Sequence, residues 1–406
     1  MSETTAPSAP MAPDDSAARR TALILAAAQA LGGAAPSIVV SLGGLVGATL
    51  SSDPSLATLP VSVFQLGLAA GTIPAAMVMR RFGRRTGYLL GATTGVVAGS
   101  VAALGIALGS FAVFCFGTFL AGFHASYVQS YRFAAADTAS DGFRPRAISW
   151  VMTGGILAGV VGPQTVIWTR DLTPDAPFAG GFLGQAGLAI LSLLLLSALR
   201  HVPPPRVAGG STGRPLRIIM AQPRFRVAVA TGLVSYGLLS FLMTAAPLAM
   251  VTECGLSLSA ATLGIQWHIL AMYGPSFFTG RIIARFGAER VIAAGLLGIG
   301  VAAAVGLAGT SVAHFWTALV LLGLGWNLSF IGATTLVTEC YRPEERAKTQ
   351  AANDFMVFGS VALASFSSGK LLSLGGWATV NWLVFLPLTA VLGLLMLSAN
   401  RSVRTL

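Results

Sequence analysis

The chain has 406 residues, of which 54% are apolar and 10% charged, with a mean hydropathy of +0.76. Its 25 basic and 14 acidic side chains cannot clothe a soluble globule of 41.6 kDa, so a water-soluble domain is excluded and the bilayer is the expected solvent. The net charge of +11 is dispersed through loops, and no basic stretch carries interleaved aromatics, so nucleic acid is excluded as a partner.

A helix crossing about 30 Å of hydrocarbon needs about 20 largely uncharged residues, so uncharged runs count spans. Residues 1–20, rich in Pro, Ser and Ala, read as a disordered cytoplasmic tail. The runs 21–52 and 54–79 give spans 1 and 2, the run 86–131 is long enough for a hairpin of spans 3 and 4, and 147–169 and 176–199 give spans 5 and 6. Residues 201–226, with three consecutive prolines and a Gly pair, read as a cytoplasmic central linker. The rhythm then repeats: 227–252 and 254–280, a hairpin at 291–338, a span at 349–369 interrupted by Asp354, and a last span at 371–400, before a short tail at 401–406. The expected fold is an all-α membrane protein with 12 transmembrane helices in two six-helix bundles, 21–200 and 227–400. Closed barrels would show short alternating segments instead. All Lys and Arg except Arg170 and Lys370 fall in loops on one side, which places both termini in the cytoplasm and the chain in the cell inner membrane.

The halves also repeat in residues. Arg81-Phe82-Gly83 follows span 2 and Arg285-Phe286-Gly287 follows span 8. Such repeats place a solute site near the midplane between the halves. Cys115, Cys254 and Cys340 lie too far apart along this topology to pair. There is no zinc-type His pair, phosphate-cradling loop or nucleophile elbow, so neither an enzyme nor an ATP-driven pump is expected, and no cofactor is called for.

Polar and aromatic side chains inside spans are the candidates for binding. Span 4 carries His124, Tyr127 and Tyr131 on one helical face. Span 10 supplies Trp326 and Asn327, span 8 Gln266, Trp267, His268 and Tyr273, span 7 Tyr236 and span 1 Gln29. Aromatic faces beside amides and imidazoles suit a planar, hydrogen-bonding organic solute. For His124 and His268 a hydrogen bond to a neighbouring helix is the competing role. Arg132, at the inner end of span 4, reads as a gate or snorkelling residue. Asp354 is the only carboxylate inside a span; it reads either as a structural gate or as a proton-coupling group.

The 6 + 6 pattern, the long central loop and the loop after span 2 resemble the major facilitator superfamily of transporters. That family carries Gly, three residues, Asp-Arg, any residue, Gly-Arg-Arg in this loop. Here Arg81, Gly83, Arg84 and Arg85 match, whereas Ala76 replaces the Gly and Arg80 the Asp; the second copy keeps Arg285 and Gly287. The charge reversal leads to the expectation that Arg80 pairs with Asp354 as a charge-swapped inner gate. The segments 121–127, 131–137 and 352–355 further resemble a proteobacterial branch that includes riboflavin importers. The resemblance implies a monomeric secondary transporter working by alternating access, with riboflavin or a related planar heterocycle as solute and protons as a candidate coupling ion. A proton-driven exporter of drugs or metabolites, and a non-transporting membrane sensor with this fold, are the alternatives.

Overall fold

The computed structural model describes residues 15–140, 143–200, 213–342 and 345–403. Every regular element among them is helical. In chain order these are α1 (Ser16–Gly32), α2 (Ala35–Leu50), α3 (Leu59–Phe82), α4 (Arg84–Ala107), α5 (Phe111–Val128), α6 (Tyr131–Thr138), α7 (Arg144–Thr169) and α8 (Ala179–Ser197). After the central stretch come α9 (Leu216–Ala221), α10 (Pro223–Leu248), α11 (Leu258–Tyr273), α12 (Ser276–Phe286), α13 (Ala288–Ala308), α14 (Val312–Thr338) and α15 (Arg346–Val403).

Local chemistry sets the ends. Ser110, Ser257 and Ser311 each accept a hydrogen bond from the backbone N–H three residues on, starting α5, α11 and α14. Gly83 (φ 85°, ψ 160°) and Gly287 (φ 83°, ψ 153°) turn the chain from α3 into α4 and from α12 into α13. A side chain at either position would be strained, so the repeat seen in the sequence is a repeat of backbone conformation. Arg81 lies over the Phe82 ring and Arg285 over the Phe286 ring, both at 5.3 Å, completing the match.

Among the described residues, ten helices, or nearly continuous helix pairs, are long and apolar enough to cross a membrane. The first runs Ser16–Leu50 and the last Lys348–Ser398, which is bent where Gly376 leaves helical geometry (φ 68°). α11 and α12 are individually shorter than a span, because Gly274 and Pro275 divide them. Two boundaries differ from expectation. Helix begins at Ser16, since Asp15 is tied to Ser140 by two hydrogen bonds (3.0 and 2.6 Å), so residues 16–20 are helical. The expected linker 201–226 contains α9 and the first turn of α10, as Pro223 is pre-set for a helix start. Residues 1–14, 201–212 and 404–406 of the expected tails and linker lie outside the described residues.

Most packing is internal to residues 16–200 or to residues 213–403. The two segments meet where α3 touches α15, α7 touches α11, and α2 touches α10. These contacts cluster at the end of the molecule that carries residues 51–58. There Ser62 Oγ donates to Ser365 Oγ (3.1 Å), Thr244 Oγ1 shares that oxygen (3.1 Å), and Gln164 Nε2 donates to Gln266 Oε1 (3.0 Å). At the opposite end, which holds Gly83, Gly287 and Asp354, no hydrogen bond or ion pair joins the segments among the described residues. Phe82 and Phe355 are 51% and 73% exposed there. The molecule is closed at one end and open at the other.

Candidate functional site

Five rings from four helices converge in the second segment. Trp326 and Phe330, one turn apart on α14, are stacked (4.9 Å between centroids, 13° between planes). Tyr236 of α10 stands 5.2 Å from each, Phe358 of α15 stands 5.8 Å from Tyr236, and Tyr273 at the end of α11 meets Trp326 edge-on at 6.4 Å. Such a wall offers polarisable faces together with polar edges. Trp326 Nε1 is buried with no hydrogen-bond partner among the described residues, an unspent donor inside the wall.

Two charges lie near this wall. Asp354 on α15 is exposed towards the open end and accepts from Asn353 Nδ2 (3.1 Å). Arg132, from α6 of the other segment, is half-buried over the Phe133 ring (4.9 Å). It makes no ion pair among the described residues, and its charge is close enough to act on Asp354, Tyr236 and Tyr273. The site therefore has an aromatic half on one segment and a cationic group on the other. Phe330 and Phe358 carry no sequence signal that separates them from other apolar span residues.

Other expected residues take packing roles. His124 donates from Nδ1 to Gly91 O (2.7 Å) and is 1% exposed, Tyr127 lies against Gly91, and Tyr131 sits edge-on to Tyr88 (4.7 Å). The stripe faces α4, whose Gly91 and Gly95 leave room for rings, and presents no surface to the opening. His268 likewise donates to Leu319 O (2.7 Å) with no exposure. Trp267 is 45% exposed and outside the aromatic cluster. Asn327 spends both amide hydrogens and its carbonyl on α11 and α12. Gln29 is half-buried against Gly154 of α7, and Gln266 belongs to the closed end.

The loop arginines divide similarly. Arg84 pairs with Asp137 and donates to Tyr88 (3.2 Å), tying α4 to α6, and Arg85 donates to Ser197 O (2.9 Å). Arg80 and Arg81 are exposed, and Arg80 does not reach Asp354 in this conformation. A second ionic knot escaped the sequence reading altogether. Arg214, ahead of α9, donates to the fully buried Glu345 through its backbone N–H, Nε and Nη2 (2.7, 2.8 and 2.7 Å). Arg342 N–H adds a bond at 3.0 Å. The Arg214 guanidinium in particular holds the Glu345 carboxyl well below the usual carboxylate range.

Described residues that are all helical in their regular elements, with ten membrane-length helices closed at one end around a central aromatic and charged site, fit a polytopic membrane transporter. Residues 21–275 and 228–405 match the family model of the Major Facilitator Superfamily. The chain belongs to that family and is a secondary transporter rather than an enzyme. It is 58% identical over 383 residues (93% of this chain, 95% of the relative) to the riboflavin transporter RfnT of Brucella anthropi. It is 29% identical to the uncharacterized MFS-type transporter YddS of Bacillus subtilis, over 87% of this chain and 85% of that one. Among solved structures, a point mutant of the nucleoside transporter NupG superposes with a TM-score of 0.74 at 16% identity, covering 94% of this chain and 99% of that one. A bacterial homologue of the human lysosomal transporter Spinster superposes with a TM-score of 0.69 at 14% identity, covering 96% of each.

Proposed function

We propose that the protein carries riboflavin into the cell across the inner membrane. The observation that carries this reading is the 58% identity, over 93% of the chain, to a riboflavin transporter. The Tyr236–Trp326–Phe330 wall supports it, because an uncharged tricyclic ring matches stacked aromatic faces and offers an acceptor edge to Trp326 Nε1. We read the fold as twelve crossings in two six-helix bundles, 21–200 and 227–400, counting α11–α12 as one span and dividing α15 at Gly376. The basic loops support cytoplasmic termini, so that the open end faces the cytoplasm. The unit is a monomer. Asp354 serves as gate or as proton-coupling group. In the state closed at the cytoplasmic end, Arg80 meets Asp354.

Purified protein is expected to quench riboflavin fluorescence at micromolar concentration, and Trp326→Ala or Tyr236→Ala to weaken binding about tenfold, equivalent to about 1.4 kcal/mol. Uptake into proteoliposomes should saturate over the same range and, where Asp354 couples protons, slow when the proton gradient is collapsed. Absence of quenching at high micromolar flavin overturns the solute assignment.

A further inference from the structure

The chain between Leu258 and Phe286 is divided at Gly274 and Pro275. Pro275 has no N–H, and beyond it the Met272 carbonyl receives no donor from its own helix. It accepts from Asn327 Nδ2 instead, at 2.7 Å. The same nitrogen donates to Ser276 Oγ (2.8 Å), and Thr279 Oγ1 donates to Asn327 Oδ1 (2.5 Å). One carboxamide on α14 thus clamps the last turn of α11 and the first turn of α12. Asn327 has no solvent exposure and directly follows Trp326, whose ring meets Tyr273 at the end of α11.

The two arms of the broken span have different surroundings. α11 is packed on α7 of the other segment, with Ile269 against Gly159 and Gln266 bonded to Gln164. α12 packs on α13 and α14. Between α7 and the break lies a cavity of about 190 Å³, lined by Ile148, Ser149, Met152 and Ile156 on one side and Tyr273, Ser276 and Phe277 on the other. The break therefore separates an arm fixed at the closed end from an arm with room to swing towards α7.

We propose that Asn327 is a positioning residue of the transport cycle. Its carboxamide ties the hinge at Gly274 and Pro275 to the helix that carries Trp326, so that a solute held against Trp326 and Tyr273 and the swing of α12 form one mechanical unit. Asn327 needs no contact with the solute, because its donors and acceptor are already engaged. Removing it leaves the Met272 carbonyl unpaired in a water-poor interior and frees α12 to move independently of the aromatic wall.

The inference rests on the transporter reading, and its test separates the two. Spin labels at Met152→Cys and Phe277→Cys, in a background with the three native cysteines replaced by serine, report the α7–α12 distance. Asn327→Ala is expected to widen that distance distribution without ligand, to keep riboflavin affinity within threefold, and to lower turnover at least tenfold. Thr279→Val, a milder change in the same clamp, should act in the same sense to a smaller degree. An unchanged distance distribution in both Asn327→Ala and Thr279→Val overturns the proposal. So does a tenfold loss of riboflavin affinity at unchanged turnover, which is the mark of direct solute contact. If the parent protein binds no riboflavin, the solute assignment fails while the ligand-free distances still decide the clamp.

Discussion

At the scale of single residues, what decides a role is how much of a side chain's hydrogen-bonding capacity its neighbours have already taken. Asn327, His124 and His268 look alike in sequence to Trp326, the residue proposed to meet the solute, since all carry polar groups inside apolar runs. Neighbouring backbone carbonyls take a donor from each of the first three, leaving only the Nε2 acceptors of His124 and His268 unpartnered, whereas the single donor of the Trp326 indole has no partner among the described residues. No pattern along the chain shows which carbonyl a side chain meets, so this part of the site was illegible in sequence. The rule runs in reverse at Glu345, a loop glutamate indistinguishable in sequence from a solvated one, which is fully buried and receives four donors. Its carboxyl is held below its ordinary value of 4.5, so the stabilisation is complete above that pH and is lost as pH falls below it. Glu345→Gln keeps the shape but loses the charge. It is expected to lower the thermal unfolding midpoint at pH 7 and to narrow the gap from the parent as pH falls from 5 to about 3, measured by intrinsic fluorescence in detergent. A constant gap across that range would mean that the charge contributes nothing.

At the scale of elements, the closed end depends on how near α3 and α15 approach. Gly369 on α15 faces Thr58, and a Cβ built there would collide with Thr58 Oγ1, closer than any real contact. The neighbouring hydroxyls of Ser62, Thr244 and Ser365 complete the seam without any charge, so its strength comes from packing and a few neutral hydrogen bonds of about 1 kcal/mol each. A seam of this kind can part during transport at modest cost. Gly369→Val should hold it open, cutting uptake about tenfold and exposing Ser62→Cys to a membrane-impermeant maleimide. Thr58→Ala in the same chain should restore part of the uptake by making room for the new side chain. Full uptake by Gly369→Val would show that α3 and α15 need not approach this closely. That long apolar helices make up the chain was legible in the uncharged runs, because hydrocarbon tolerates few charges, although twelve spans were expected and ten membrane-length helices are found among the described residues. Their rotation was not, which is why the His124–Tyr127–Tyr131 stripe faces α4.

At the scale of the whole molecule, the internal repeat was legible down to backbone torsions, since Gly83 and Gly287 hold the same conformation 204 positions apart. The state of the molecule was not legible, because one sequence specifies both ends of an alternating cycle and only packing selects between them. In the state described here the segments touch at the end of Ser365 and stand apart at the end of Asp354. Arg80 is exposed on one segment, and Asp354, which accepts from its neighbour Asn353, is exposed on the other. Closing the open end brings the loop between α3 and α4 towards the start of α15, and an Arg80–Asp354 contact would then form in the opposite state alone. A pair made only in that state biases the cycle by its differential energy and leaves this state unaffected. Arg80→Ala and Asp354→Ala should therefore each slow transport severalfold with little effect on thermal stability, and the double exchange Arg80→Asp with Asp354→Arg should recover part of the rate. If the exchanged pair transports no better than the product of the single effects, the two side chains do not meet, and Arg132 is left as the cation that answers Asp354.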